Sequence, residues 1–243
     1  KLCSNENAMA PNQKKIKSPP KRFQPRGLSI LYEDRDILVV DKISGLLTIS
    51  TAKVRENTAY FLLNTYVRKG NQKSRNRIFI VHRLDKDTSG IIIFAKNEAN
   101  KRYLQDEWQN FNKKYYVVIQ GTMKAKEGII TSYLAENRMH KMYSVTDPQK
   151  GKLARTRYKV LRESKKFSLL EIELLTGRKN QIRVHFSEND TPVAGDKMYG
   201  KIDKRIKRLT LHAASLTILH PDTKEKMVFN TEIPAYFNIL LNA

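Results

Sequence analysis

Short apolar segments of strand type recur along this chain, and they constrain its fold more than any other feature. In the clearest, residues 154–160, apolar side chains alternate with Arg155, Arg157 and Lys159, a basic row that either lines RNA or faces water. Further segments of strand type are residues 37–40, 77–81, 91–95, 115–119, 167–174, 215–219 and 227–230. Helical spacing is clear in residues 57–67 and 97–111, the second with Asn97 as N-cap. Many strands, few helices and no regular βαβ rhythm predict an α+β fold with a mixed, mostly antiparallel sheet flanked by helices and loops.

An excess of positive charge limits the partners. The 243 residues include 46 Lys and Arg against 24 Asp and Glu, a formal net charge of +22. Nucleic acid is the favoured partner, because neutralising phosphates with dispersed cations releases counterions. An acidic membrane surface is a rival, although the charge is not gathered on one amphipathic helix. Solubility alone is the third interpretation.

The ends of the chain and its single cysteine suggest location and domain organisation. No apolar run reaches the roughly 18 residues that span a bilayer. Cys3 cannot form an internal disulfide, which fits a reducing cytoplasm. Residues 1–27 are predicted to be a flexible basic tail, with residues 1–8 interpreted as an expression remnant. Residues 28–243 are predicted to form one domain.

A turn cluster at residues 81–90 is the first candidate for chemistry. Two carboxylates and two hydroxyls crowd a turn that ends at Gly90, between two apolar strands. A rigid scaffold on both sides can hold a loop carboxylate in place, as catalysis requires. Ordinary turn chemistry explains the same residue types, so both interpretations stay open.

Two other segments carry polar motifs. Residues 176–185 lead from a glycine turn into a basic run, which either pairs with an anion or begins a solvated helix. Residues 195–201 imitate a phosphate-binding loop, but Ile202 stands where a hydroxyl should bind Mg²⁺. The five histidines lack the H-E-x-x-H spacing of a zinc site.

The turn cluster also carries a resemblance to a known family. Residues 82–85 (His-Arg-Leu-Asp), followed by Thr-Ser-Gly at 88–90, resemble the signature of the RluA-type RNA pseudouridine synthases. Further stretches match in the expected order, at residues 30–42, 113–121, 151–156, 176–185, 195–200 and 211–214. The resemblance covers roughly residues 28–237. Ile43 stands where the family usually has proline, and Asn180 where it usually has histidine.

This resemblance implies the pseudouridine synthase fold and the isomerisation of uridines in structured RNA, after the nucleotide is flipped from its helix. Asp85 is implied as the catalytic carboxylate, a buried anion paired with Arg183. Tyr115 is implied to stack on the uracil and to help remove the C5 proton. The implied substrate-binding residues are His82, Arg83, which supports the flipped arrangement, and Ile182 and Leu211, which wall the pocket.

The chemistry and the partners are implied only in outline. Asp85 either attacks the sugar carbon or assists elimination to a glycal. No metal and no organic cofactor is implied, and a monomer without an obligate protein partner is expected. Large-subunit ribosomal RNA is slightly favoured over transfer RNA. A non-catalytic RNA-binding protein on the same fold is the main alternative, marked by loss of Asp85 or Tyr115, and a DNA-binding protein is the third.

Overall fold

The structure, a computed structural model, describes residues 24–242 and is built around one 11-stranded sheet. The strands are β1 (Leu28–Glu33), β2 (Ile37–Lys42), β3 (Phe79–Ile80), β4 (Ser89–Ala95), β5 (Asn112–Gln120), β6 (Glu127–Glu136), β7 (Met142–Val145), β8 (Lys152–Glu163), β9 (Phe167–Leu174), β10 (Leu211–Leu219) and β11 (Lys226–Asn230). The helices are α1 (Ala59–Val67), α2 (Glu98–Asp106), α3 (Gln181–Glu188) and α4 (Ala235–Leu241). The predicted α+β class is confirmed, while the basic tail expected at residues 1–27 falls almost wholly outside the described residues.

The strand order is β1-β2-β4-β10-β5-β9-β8-β6-β7, with β11 paired to β10 and β3 paired to β4. Strand β10 runs parallel to β4 and antiparallel to β5, so a strand from late in the chain fills the middle of the sheet. The other pairings between these strands are antiparallel. The sheet is therefore mixed and mostly antiparallel, as predicted.

Helices cover both faces of the sheet, because successive strand residues point to opposite sides. On β2, Val40 packs in one cluster with Leu63 of α1, whereas Val39 packs in another with Leu104 of α2. With both faces buried, β2 and β4 read as continuous apolar runs and lack alternation.

Strand β5 is covered on both sides in the same way. Ile119 packs with Phe186 of α3 on one face, and Val118 packs with Phe237 of α4 on the other. Tyr115 packs against both the α1 cluster and the α3 cluster. Helices α1 and α3 therefore share one face of the sheet, with Tyr115 at their junction.

The predicted helices are present but shorter. Asn97 caps α2 as predicted, its side-chain oxygen accepting from the Asn100 amide at 2.8 Å. Helix α2 ends at Asp106 and a single 3₁₀ turn follows, so the prediction of one helix to residue 111 was too long. The four helices are seven to nine residues long, and none in the described part of the chain could cross a membrane.

The basic row of β8 faces away from the face that carries α3. Thr156, on the alternate register, is buried and lies 2.9 Å from His185 Nδ1 of α3. Arg157 lies on the opposite face, where it pairs with Glu173 of β9. Of the two interpretations left open for this row, contact with water and neighbouring side chains is the one that the fold favours.

Candidate active site

A cleft of about 610 Å³ opens on the α1–α3 face of the sheet. It is bounded by the loop after β2, the loop before β4, strand β5, the start of α3 and the start of β10. All seven residues implied by the family resemblance line it: His82, Arg83, Asp85, Tyr115, Ile182, Arg183 and Leu211. The fold thus brings together side chains from four separate parts of the sequence.

The loop that carries Asp85 is held through its backbone on both sides of that residue. Thr48 Oγ1 donates to the Leu84 carbonyl at 2.8 Å and accepts from the Leu84 amide at 3.3 Å. Lys42 Nζ donates to the carbonyls of Asp85 at 3.4 Å and Lys86 at 3.2 Å. These contacts fix the loop independently of the Asp85 side chain.

Lys42 is fully buried at the end of β2 and was not singled out for any role from the sequence. Its ammonium also donates to the carbonyls of Leu46 at 2.8 Å and Ile43 at 3.1 Å, which ties the loop after β2 to the Asp85 loop. Burial lowers the pKa of Lys42 to about 8, although nearby carboxylates, including Asp85 and Asp87, oppose the shift. In the sequence, the signal that could have identified this buried lysine was its position just after the apolar residues 37–40.

The predicted turn cluster is shorter than the sequence suggests, because Ser89 and Gly90 already lie in β4. Gly90 has φ of +116°, and a Cβ there would lie 2.2 Å from the Ala213 carbonyl oxygen. Glycine is therefore required for β10 to approach β4 next to the Asp85 loop. The Gly in this motif serves strand packing and does not close a turn.

Arg183 contacts two carboxylates of different exposure. Its Nη1 donates to Asp85 Oδ2 at 3.1 Å, while Nε and Nη2 donate to Asp196 at 2.6 and 2.8 Å. The Asp85 side chain is 43% exposed and that of Asp196 is 0% exposed. The expectation of a buried Asp85 was wrong, since its side chain lies at the mouth of the cleft and remains open to solvent. Asp196 is the buried partner.

The electrostatics of this trio follow from its contacts. Burial raises the pKa of Asp196, but the Arg183 guanidinium and two backbone amides more than reverse this and hold it below its ordinary value. Burial opposes the charge of Arg183, yet the two carboxylates raise its pKa. Arg183 therefore stays a cation beside Asp85.

The resemblance of residues 195–201 to a phosphate loop also has a structural cause. Asp196 Oδ1 accepts from the amides of Met198 at 2.9 Å and Tyr199 at 3.0 Å. A phosphate loop would turn such amides towards a bound anion. Here a side-chain carboxylate takes that place, and the loop supports Arg183.

Asn180 was treated in the sequence only as a departure from the family pattern, and it contacts Asp85 directly. Its Nδ2 donates to Asp85 Oδ2 at 2.6 Å. The residue precedes α3 with φ of 51°, in the left-handed region that asparagine tolerates. Helix α3 itself is largely buried, so its interpretation as a solvated helix start was wrong.

Tyr115 and His82 form part of the cleft wall. Burial raises the pKa of the Tyr115 phenol and the charge of Asp85 adds to this, so the phenol stays neutral. His82 stacks on Trp108 with ring centroids 4.1 Å apart and accepts from the Ile93 amide at 3.2 Å. Burial, helped by Lys113, lowers the pKa of His82 to about 3, so this ring is also neutral.

A second cavity of about 730 Å³ shares Asp85, Lys86 and Arg183 with the cleft. Its other cations are Lys197, Lys207 and Arg208. Within residues 24–242, none of Lys86, Lys197, Lys207 and Arg208 forms an ion pair. The cavity is also lined by the carboxylates of Asp85, Asp87 and Asp196, so its five cations leave an excess of positive charge beside Asp85.

One cluster has the residue types of a metal site but is explained without an ion. Asp34, Asp36 and His220 place a ligand atom each within 4.8 Å of one another. His220 Nε2 bonds to Asp34 Oδ2 at 2.9 Å, and the amides of Asp36 and Ile37 donate to Asp34 Oδ1. These bonds lock the β1–β2 turn, and none of the three residues lines the cleft.

Comparison with known proteins decides the family. A model of the RNA pseudouridylate synthase family matches residues 36–188, which include Asp85, Tyr115 and Arg183. The chain belongs to the RNA pseudouridylate synthase family. It is an RluA-type member, as the motifs predicted, and thus an RNA-modifying isomerase.

Relatives of this synthase cover most of its length. It is 37% identical to an uncharacterized RNA pseudouridine synthase of Mycoplasma genitalium, over 89% of this chain and 70% of the relative. It is 32% identical to ribosomal large subunit pseudouridine synthase D of Borreliella burgdorferi, over 88% and 68%. The solved structure of human RNA pseudouridylate synthase domain containing 4 aligns with TM-score 0.73 and 22% identity, covering 88% of this chain and 91% of that one, which supports the fold.

Proposed function

We propose that this synthase converts uridines of structured RNA to pseudouridine with Asp85 as its catalytic carboxylate. The observation that carries this is the exposed Asp85 carboxylate held beside the Arg183 cation, in the cleft that Tyr115 also lines. The reaction breaks the bond between uracil N1 and the sugar, turns the base, and joins C5 to the same sugar carbon, releasing the C5 proton. A base paired in a helix cannot turn, so the nucleotide is flipped into the cleft.

Asp85 acts on the sugar by one of two routes. As a nucleophile it attacks the sugar carbon while N1 leaves, and the returning C5 displaces it. As a base it takes the C2′ proton while N1 leaves, which gives a glycal; it then returns that proton to C2′ as C5 bonds to the sugar carbon. Both routes use the carboxylate form of Asp85, which accepts from Arg183 Nη1 at 3.1 Å.

The remaining cleft residues bind and enclose the base. Tyr115 stacks on the uracil. Its phenol is neutral in the free enzyme, which favours stacking as its role over removal of the C5 proton. Ile182 and Leu211 are buried apolar walls that keep water from the detached sugar. His82, stacked on Trp108, completes the wall, and the exposed Arg83 supports the RNA around the flipped nucleotide.

The preferred substrate is large-subunit ribosomal RNA, with transfer RNA second. This preference is supported by relatives named for the ribosomal large subunit. The second, basic cavity beside Asp85 offers the RNA a path past the cleft, since phosphates bind unpaired Lys and Arg. We further propose that residues 28–243 form one catalytic domain, which acts as a monomer in the cytoplasm.

The proposal is tested by Asp85→Asn, with Asp87→Asn as the matched control from the same loop. We expect Asp85→Asn to abolish tritium release from RNA labelled at uridine C5 while RNA binding stays within about threefold, because the amide keeps the shape but not the charge. Asp87→Asn should keep most of the turnover. Measurable tritium release by Asp85→Asn would remove Asp85 from its role.

A further inference from the structure

Two side chains at the start of α3 fix one oxygen of Asp85. Oδ2 accepts from Asn180 Nδ2 at 2.6 Å and from Arg183 Nη1 at 3.1 Å. An ionised carboxylate only accepts hydrogen bonds, so the amide nitrogen of Asn180 must be the group that faces it. Among the described residues, Oδ1 has no hydrogen-bond donor, which leaves this oxygen for the substrate.

The backbone of Asn180 explains why its side chain is available for this contact. Asn97, at the start of α2, is extended with φ of −145°, and its side chain caps its own helix. Asn180 occupies the corresponding place before α3, but its φ is 51° and it makes no capping bond. The left-handed backbone turns the amide away from α3 and towards Asp85.

Tyr199 supports both donors. Its hydroxyl donates to Asn180 Oδ1 at 3.3 Å and accepts from the Met142 amide at 2.9 Å. Its ring lies 5.0 Å from the Arg183 guanidinium. Since Tyr199 occupies the other side of the Asn180 amide, the amide cannot rotate without losing a bond.

Resting on the proposed role of Asp85, we propose that Asn180 is a positioning residue that sets the orientation of the Asp85 carboxylate and presents Oδ1 to the sugar. Arg183 supplies the positive charge. With that contact alone the Asp85 carboxylate could still rotate about it, and the second hydrogen bond, from Asn180, removes this freedom. A short bond to a charged acceptor is strong enough to hold one rotamer of a half-exposed side chain. The side chain acts through Asp85 and takes no part in the bonds that change.

The first test removes the amide without straining the backbone. Asn180→Gly keeps a residue that adopts positive φ without steric strain, so the backbone before α3 should be preserved and the melting temperature should fall only slightly, through the lost bond to Tyr199 and the entropy of glycine. We expect kcat to fall about 10- to 100-fold, the loss of one hydrogen bond to a charged group, with KM within about threefold. Asn180→His should restore kcat to within about fivefold of wild type, since histidine also tolerates this backbone and has an N–H donor.

Further variants measured in parallel separate the outcomes. Asn180→Asp, of nearly the same shape, should lose more turnover than Asn180→Gly, because it sets two carboxylates together. Wild-type kcat in Asn180→Gly, or a loss that appears only in KM, overturns the inference. Asp85→Asn is assayed beside them: an active Asp85→Asn refutes the proposed function itself, whereas an inactive one with a fully active Asn180→Gly refutes only the positioning role.

Discussion

Arg183 pairs with one buried carboxylate and one exposed carboxylate. Because the two differ in exposure, removing Arg183 should affect each of them differently. The Asp196 side chain is 0% exposed and can find no solvent to replace the guanidinium. Asp85, at 43% exposure, can be hydrated when Arg183 is absent. We therefore expect stability to depend on the pair with Asp196, and turnover, on the proposed mechanism, to depend on the pair with Asp85.

We expect Arg183→Met to lower the free energy of unfolding by about 3–5 kcal/mol, because it strands a buried anion. It should also remove turnover. Adding Asp196→Asn to this variant should recover part of the stability, since the neutral amide still accepts from the amides of Met198 and Tyr199. Turnover should stay absent, because Asp85 still lacks its cation. Denaturant unfolding and tritium release measure the two effects, and a double variant no more stable than Arg183→Met would contradict the assignment.

Sequence motifs placed Asp85, Tyr115 and Arg183 in one site, and the fold places all three in one cleft. Asn180 and Asp196 were missed as contacts because their importance is geometric. Asp85 and Asn180 are 95 residues apart, and only the folded chain shows that they touch. The neighbouring residues in the sequence do not reliably predict that Asn180 adopts a left-handed backbone conformation.

At the scale of elements, β2 and the two loops beside it act as one unit through Lys42. A buried ammonium that donates to carbonyls of both loops costs desolvation while it is charged. The pKa of Lys42 is about 8 in the fold against an ordinary value of 10.5. Between these values the native amine is neutral while the unfolded one is charged, so the unfolded chain binds more protons and stability rises with pH.

We therefore expect the unfolding free energy of the wild type to rise, relative to Lys42→Met, as pH increases from about 8 to 10.5. The rise should be at most about 1.4 kcal/mol per pH unit. Urea unfolding of both proteins across this pH range gives the difference between their free energies of unfolding. Groups that titrate equally in the two proteins do not contribute to this difference. A difference that is flat or falls with pH would show that Lys42 is not charged and buried at neutral pH.

Strands β8 and β9 were predictable because alternation and a polar turn mark them in the sequence. Strand β3 is shorter than the predicted 77–81. The amide of Ile93, which lies opposite residue 81 in the β3–β4 register, donates to His82 Nε2, and residues 77–78 fall opposite positions beyond the end of β4 at Ala95. Strands β6 and β7 were not singled out, because few of their residues are buried and the apolar signal is weak. Tertiary packing, which no local pattern records, decided these elements.

At the scale of the whole molecule, the surfaces differ in how far their positive charges are paired with carboxylates. On the face opposite α3, Arg157 and Lys114 are neutralised by Glu173 and Glu171. Around the second cavity, the exposed Lys197 and Lys207 have no such partners in the described chain. Phosphates should therefore bind near the cleft in preference to the β8 row.

We expect Lys197→Ser combined with Lys207→Ser to weaken RNA binding and to reduce the slope of log affinity against log salt by about 0.7–0.9 per lost phosphate contact. The control pair, Lys159→Ser with Lys226→Ser, changes net charge equally but lies on β8 and β11, outside both cavities. Fluorescence anisotropy with a structured ribosomal RNA fragment measures the affinity and its salt dependence for both pairs of variants. Equal weakening by the two pairs would mean that total charge, and not this surface, binds RNA.

The position of β10 between β4 and β5 has a consequence for biosynthesis. A nascent chain that has left the ribosome as far as α3 carries the Asp85 loop, Tyr115 and Arg183, yet β4 and β5 still lack the strand that joins them. Two unpaired strand edges are exposed to solvent until residues 211–219 emerge, and such edges invite aggregation. A partly made chain therefore lacks both the strand that joins β4 to β5 and the Leu211 wall of the cleft.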